Sequence, residues 1–302
     1  MSPLNLTEQD AAALTELPAE LDTEFVLTAS CVDQVGIVAG VAEFLSSRGF
    51  NIKEHQQFDN RGAGRVHIRT AFTTPQPISR GELEQEFSAV AERFSMNYQL
   101  SNSKPTRLLL MVSKSGHCLN DLIFRWRQGN LNAEIALVVS NHEDLRQMAE
   151  GAGIPYIHVP LTKDSKPQSE ARLLELIDEF DIDLVVLARY MQILSDDLTT
   201  KLSGRAINIH HSFLPGFKGA RPYHQAHDRG VKMIGATAHY VTADLDEGPI
   251  IEQEVIRVDH TYDPRALSQV GQTAESQALS RAVKWHCENR VMLDGSSTVV
   301  FR

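Results

Sequence analysis

Residues 206–211 read A-I-N-I-H-H, and the chain continues S-F-L-P-G-F-K-G-A to Ala220. Apolar Ile207 and Ile209 alternate with polar Asn208 and His210, the period of a β-strand with one face toward a core. Pro215, Gly216 and Gly219 then stop any regular element. Asn208 and His210 are two apart and share one face of the strand. A core strand therefore ends by presenting an amide and an imidazole just ahead of a loop.

Around this strand, apolar runs alternate with amphipathic ones. R-L-L-L-M-V-S (107–113), E-I-A-L-V-V-S (134–140), D-L-V-V-L-A-R (183–189) and I-G-A-T-A-H-Y-V (234–241) read as further strands. Helical patterns lie between them in H-E-D-L-R-Q-M-A-E-G-A-G and S-E-A-R-L-L-E-L-I-D-E-F. Such alternation predicts an α/β domain with a mostly parallel, doubly wound sheet. In such sheets ligands bind beyond the carboxyl ends of strands, which is where Asn208 and His210 stand.

The first hundred residues have another texture. E-F-V-L-T-A-S-C (24–31) reads as a strand, Asp33 as the N-cap of a helix, and Ile37, Val38, Val41, Phe44 and Leu45 as its apolar face, with Gly49 ending it. Strand-like runs at about 50–58 and 64–74 follow, then a helix over about 79–94 and a last strand, M-N-Y-Q-L. The order βαββαβ is that of a ferredoxin-like domain. The polar stretch S-N-S-K-P-T is the expected linker, giving domains 1–100 and 107–302 joined by 101–106.

A chain of 302 residues accommodates two such domains, and a net charge of −10 argues against a nucleic-acid surface. Cys31, Cys118 and Cys287 are too few and too far apart for a disulfide framework or a Cys-based zinc site. The N-terminal M-S-P-L-N-L-T-E-Q-D lacks the basic-then-apolar profile of a signal peptide, and no apolar run reaches membrane-span length, so a cytoplasmic location is expected.

An amide donor and a titratable ring are the groups needed to hold an oxyanion and move a proton during attack on a carbonyl. H-Y-V-T-A-D-L-D-E-G-P-I adds Asp244 and Asp246 in a turn between two strand-like runs. A carboxylate beside an imidazole favours the imidazolium and can orient a water. Together these residues suggest hydrolysis or acyl transfer. A metal cluster of His224 and His227 with His210, His211 and His239 is the competing reading, but H-E-x-x-H is absent and a plain surface helix explains His224 and His227 more simply. G-x-S-x-G, G-x-G-x-x-G and G-x-x-x-x-G-K-[ST] are absent as well.

These stretches resemble the formyltransferase-type catalytic domain that handles 10-formyltetrahydrofolate. The shared pattern is Asn-x-His, Ser-x-Leu-Pro, His-x-Val-Thr and Leu-Asp-x-Gly-Pro. The resemblance implies a catalytic trio of Asn208, His210 and Asp246, with Asp244 a turn residue. L-A-R-Y-M-Q-I-L-S resembles the family's folate-binding strand end, which implicates Met191, Gln192, Ile193 and Leu194, with Arg189 beside them. No metal or other cofactor is implied, the folate being the substrate.

The loop S-K-S-G-H-C-L-N-D-L (113–122) separates two branches of the family. In the glycinamide ribonucleotide transformylases it is rich in Gly, Asn and Ser and holds the acceptor's phosphate. Here it keeps only Gly116 and carries His117 and Cys118, which suits a phosphate cradle poorly, although Lys114 is nearby. The doublet His210-His211, F-K-G-A-R-P-Y-H-Q-A and the ending A-V-K-W-H…T-V-V-F are similar to the deformylases. D-Q-V-G-I-V-A-G-V-A-E-F-L (33–45) resembles the first helix of an ACT regulatory domain, whose fusion to a formyltransferase-type domain is the deformylase arrangement. The resemblance implies release of formate with water as acceptor, balancing the one-carbon folate pool used in purine biosynthesis. Passage of the formyl group to an amine is the alternative. It further implies a homo-oligomer with an amino-acid effector near Asp33 and Gly36.

Overall fold

A computed structural model describes residues 21–162, 165–216 and 222–302. Parts of two sequence readings, the N-terminal decapeptide and F-K-G-A-R, lie outside the described residues. The chain divides into two compact units, 1–103 and 104–302.

The N-terminal unit runs β1 (Leu21–Val32), α1 (Ile37–Ser47), β2 (Asn51–Asn60), β3 (Arg65–Ser79), α2 (Arg80–Phe94) and β4 (Asn97–Asn102). Its antiparallel sheet has the order β2-β3-β1-β4, the ferredoxin-like arrangement. Phe25, Leu27 and Ala29 of β1 alternate inward and pack with Phe44 and Phe87 from the two helices. Ser79 caps α2 through a reciprocal pairing with Glu82, whose carboxylate accepts from the Ser79 N–H.

Asp33 is not the cap of α1. Its backbone N–H donates to Gly64 O at 3.0 Å, tying it to the β2–β3 turn, and the helix starts later, with Gly36 as N-cap at φ 97°. Only a glycine enters that conformation without strain. The expected linker is also shorter than 101–106: Ser101 and Asn102 still pair with β1, and β5 begins at Thr106.

The second unit contains β5 (Thr106–Val112), α3 (His117–Arg127), β6 (Ala133–Ser140), α4 (Arg146–Glu150), β7 (Tyr156–His158), α5 (Lys166–Glu179), β8 (Leu184–Leu187), α6 (Asp196–Lys201), β9 (Ala206–His210), α7 (Pro222–Asp228), β10 (Met233–Tyr240), β11 (Ile250–Arg257), α8 (Pro264–Cys287), β12 (Val291–Asp294) and β13 (Ser297–Val300). The seven-stranded sheet has the order β11-β10-β9-β8-β5-β6-β7. Strands β5 to β9 pair in parallel, and β10 and β11 add an antiparallel edge.

Both faces of the parallel part are covered, so β5 is apolar and buried from Leu108 to Val112. Leu108, Leu110 and Val112 pack under α3 and α8, while Leu109 and Met111 pack under α5. The chain leaves β5 toward β6 on one side and returns at β8 on the other, so β5 and β8 flank the topological switch point.

Helix α4 is one short turn-flanked element rather than the whole of 142–153, because Gly151 and Gly153, the latter at φ 81°, end it before Pro155. The sequence reading contains no counterpart of α8. This 24-residue helix buries Gly271, Ala274, Ala278 and Ala282, whose small side chains carry little apolar periodicity. No helix among the described residues is long and apolar enough to cross a membrane.

Candidate active site

The carboxyl ends of β8 and β9, His239 of β10 and the loop after β10 enclose a cleft of about 450 Å³. Strand β9 places Ile207 and Ile209 in the core under α8, and so turns Asn208 and His210 to the opposite face. Both line the cleft, together with Asp246 from the loop between β10 and β11.

The structure brings the three together. His210 Nδ1 lies 3.1 Å from Asp246 Oδ2. A carboxylate can only accept, so Nδ1 carries the proton. The hydrogen bond from His210 holds the Asp246 carboxyl below its ordinary range, against the opposing effect of burial. His210 Nε2 is buried and has no hydrogen-bond partner among the described residues. One ring nitrogen is thus anchored, and the other is left for a ligand.

Asp246 sits at φ 57°, an unfavourable backbone conformation for a side-chain-bearing residue, as found where a site over-determines its geometry. Gly248 explains how the loop is held: a Cβ there would stand 1.8 Å from Tyr240 O. The Tyr240 N–H donates to Pro249 O at 2.9 Å, which pins the loop to β10. Asp244 also lines the cleft but is exposed, and its backbone carbonyl accepts from the Thr242 hydroxyl at 3.0 Å within the turn.

His239 has a place that the sequence reading did not give it. It is the register partner of Asn208 across β9 and β10. Its Nδ1 lies 2.8 Å from Tyr240 O, so Nδ1 carries the proton. Burial lowers its pKa and keeps the ring neutral, leaving Nε2 to accept from Asn208 Nδ2 at 3.3 Å. At 3.8 Å from Asp246 Oδ1, Nε2 is outside hydrogen-bond range of the carboxylate.

Met191, Gln192, Ile193 and Leu194 all line the cleft, with Met191 and Ile193 more than half exposed toward it or solvent at 54% and 63%. The Met191 N–H donates to Ser113 Oγ at 3.1 Å, and that hydroxyl donates to Asn141 Oδ1 at 2.8 Å. Ser113 therefore ties the end of β5 to the segment after β8, across the switch point. Arg189 lines the cleft as well, at φ 69°.

The histidines considered as a metal cluster are not assembled: His224 and His227 are exposed on α7, whereas His210 and His239 are buried. Among the described residues, the donor group that does assemble is His117, Cys118 and Glu275, whose ligand atoms lie within 4.8 Å of one another. Its chemistry suits a cation poorly. Burial pushes the Cys118 thiol pKa well up, and the Arg189 guanidinium already stands 3.3 Å from Glu275.

Comparison with known proteins adds the lineage. The Formyl transferase family matches residues 106–283. A formyltetrahydrofolate deformylase of Corynebacterium sp. (strain P-1) is 53% identical over 279 residues, covering 92% of this chain and 98% of that protein. The crystal structure of formyltetrahydrofolate deformylase from Burkholderia mallei superimposes with a TM-score of 0.87 at 49% identity, covering 93% of this chain and all (100%) of that one. The phosphoribosylglycinamide formyltransferase of Anaplasma phagocytophilum matches less, with a TM-score of 0.61 and 31% identity over 66% of this chain and 96% of its own. The ferredoxin-like unit, the cleft at the switch point and these likenesses agree: the chain belongs to the Formyl transferase family and, within it, to the formyltetrahydrofolate deformylases.

Proposed function

We propose that this chain hydrolyses 10-formyltetrahydrofolate to tetrahydrofolate and formate, with Asn208, His210 and Asp246 as its catalytic residues. The observation that carries the reading is the anchored His210, with Nδ1 on Asp246 and a buried Nε2 without a partner among the described residues. Protonated His210 and the Asn208 amide meet the formyl oxygen and hold the oxyanion as it forms. Asp246 Oδ2 is occupied by His210, and Oδ1 receives the proton of the attacking water. The water oxygen bonds to the formyl carbon, the bond from that carbon to N10 breaks, and the His210–Asp246 pair returns a proton to N10.

The folate ring system is read against Met191, Gln192, Ile193 and Leu194, an apolar wall with backbone groups in reach. The trio supplies acid, base and oxyanion donor, so no metal is assigned to the reaction. The N-terminal unit is read as an ACT-like domain that binds an amino acid near Asp33 and Gly36. It is also read as pairing copies of the chain, which its exposed Val32 and Phe58 support. Three free, buried cysteines fit a cytoplasmic setting.

Formate release from 10-formyltetrahydrofolate, measured after exhaustive chelation and with no amine present, tests the reading. Stoichiometric formate is expected. Turnover that requires an amine acceptor would replace hydrolysis with transfer, and turnover lost on chelation would require a metal.

A further inference from the structure

Between β8 and α6 the chain follows no regular element, yet this stretch is the wall read against the folate ring. Its course is fixed at three points. The Ala188 N–H donates to Met111 O of β5 at 2.8 Å, one residue past the end of β8. Arg189 then turns the chain at φ 69°. Beyond that turn the Met191 N–H donates to Ser113 Oγ at 3.1 Å, and the Ser195 N–H donates to Glu170 Oε1 of α5 at 2.9 Å. Ser195 Oγ donates to Glu170 Oε2 and accepts from the Leu198 N–H at 3.2 Å, so the same serine caps α6.

The residues between the last two points are left open. Among the described residues, no hydrogen bond engages the backbone N–H or C=O of Gln192, Ile193 or Leu194. Unpaired backbone groups beside a cavity take a partner from solvent or from a ligand. A fused heterocycle with donors and acceptors along its edge can satisfy them between apolar side chains. Binding gains most when such a stretch is ordered beforehand, because ordering it on arrival subtracts from affinity.

The two anchors are built for that. Ser113 is 3% exposed, follows β5 directly, and donates its one hydroxyl proton to Asn141 Oδ1 at 2.8 Å. With that proton committed, a lone pair of Oγ is left to accept from Met191. Glu170, with its side chain 14% exposed, spends both carboxylate oxygens on Ser195. Neither anchor is among the residues that line the cleft. We infer that Ser113 and Glu170 are positioning residues for folate binding: they clamp the wall at Met191 and at Ser195 and keep the backbone of Gln192, Ile193 and Leu194 open to the ring, with Asn141 orienting the Ser113 hydroxyl. The inference rests on the folate reading of this wall given above.

The test pairs steady-state kinetics on 10-formyltetrahydrofolate with direct titration of tetrahydrofolate. Ser113→Ala and Glu170→Ala are each expected to raise KM and the tetrahydrofolate Kd about 3- to 10-fold, the worth of a lost hydrogen bond. Because the anchors do not meet the reacting atoms, kcat should stay within about twofold. Glu170→Gln keeps a carbonyl oxygen for the Ser195 N–H and should bind nearly as the native chain does. Asn141→Ala should weaken binding by itself and add nothing to Ser113→Ala, as expected of a residue that acts through another. A lowered melting temperature with KM and Kd unchanged would overturn the inference, as would a loss confined to kcat. Ile193→Asp, which sets a charge in the wall, separates the two readings. If it leaves Kd unchanged, folate does not bind at this wall and both readings fall; if it weakens binding while Ser113→Ala and Glu170→Ala do not, only the positioning inference falls.

Discussion

The neutral ring of His239 holds the amide of Asn208: Nε2 accepts from Nδ2 at 3.3 Å while Nδ1 is committed to Tyr240 O at 2.8 Å. The amide is therefore oriented before substrate arrives, and its other N–H is the donor available to a formyl oxygen. Preorganised donors of this kind typically account for about 100- to 1000-fold in turnover. Asn208→Ala is expected to lose that much in kcat with KM nearly unchanged, because the charge it meets develops mainly in the transition state. Steady-state kinetics decide it; a loss confined to KM would make Asn208 a binding residue instead.

Asp246 and Asp244 are two residues apart and line the same cleft, yet only Asp246 touches His210. Asp246→Asn is expected to fold and to bind folate but to lose at least about 100-fold in turnover, since an amide cannot take the water's proton. Asp244→Asn should stay within about threefold, as expected of a solvent-exposed turn residue without a role in the chemistry. Parallel kinetics and folate binding on the two variants check this. Equal losses would show that the base is misassigned.

Asn208 and His210 were legible from a local signal, whereas the choice of Asp246 over Asp244 in the same turn came from the family resemblance alone. Asn208 and His210 share a strand face, and Asp246 lies in a turn closed by Gly248 and Pro249. His239 was visible as a residue but not as a partner, since pairing it with Asn208 needs the register of β9 against β10. Glu275 was not legible at all: it meets His117 across 158 residues and rides on a helix whose buried face is mostly Ala and Gly. In a sequence such a glutamate reads as a solvent charge. The Asp33 reading failed for a related reason, because the hydrogen bond that holds its backbone comes from the distant turn at Gly64.

Acid should weaken the fold in a defined window. His211 and His286 are each pushed down from 6.5 to about 4, first of all by burial. An unfolded chain carries ordinary imidazoles, titrating at about 6.5. Between those values the unfolded state binds more protons than the folded one, so this stability is complete above about pH 6.5 and is lost as pH falls toward about 4. The Asp246 carboxylate, with its depressed pKa, adds a loss only below the ordinary carboxylate range. Melting temperature is expected to fall steadily from pH 7 to pH 4.5. His286→Gln should flatten that slope, because the amide oxygen can still accept from the Tyr240 hydroxyl, 2.7 Å from His286 Nδ1, without taking up a proton. A native profile flat across this range would refute the account.

Regulation through the N-terminal unit is open to a direct measurement. Gly36 caps α1 at φ 97° with no side-chain oxygen, and the neighbouring Val35 is fully exposed at 101%. An effector changes the rate only if it binds active and inactive states with different affinity, and the coupling is reciprocal in binding. Glycine or methionine is expected to shift deformylation in the full chain and to change folate affinity by the same factor that folate changes theirs. Replacing Gly36 itself would strain the backbone, so the better probe is Val35→Glu, which sets a carboxylate against the carboxylate of an incoming amino acid. That variant should keep the basal rate and lose most of the response. If none of the twenty amino acids alters the native rate, this unit serves assembly rather than sensing.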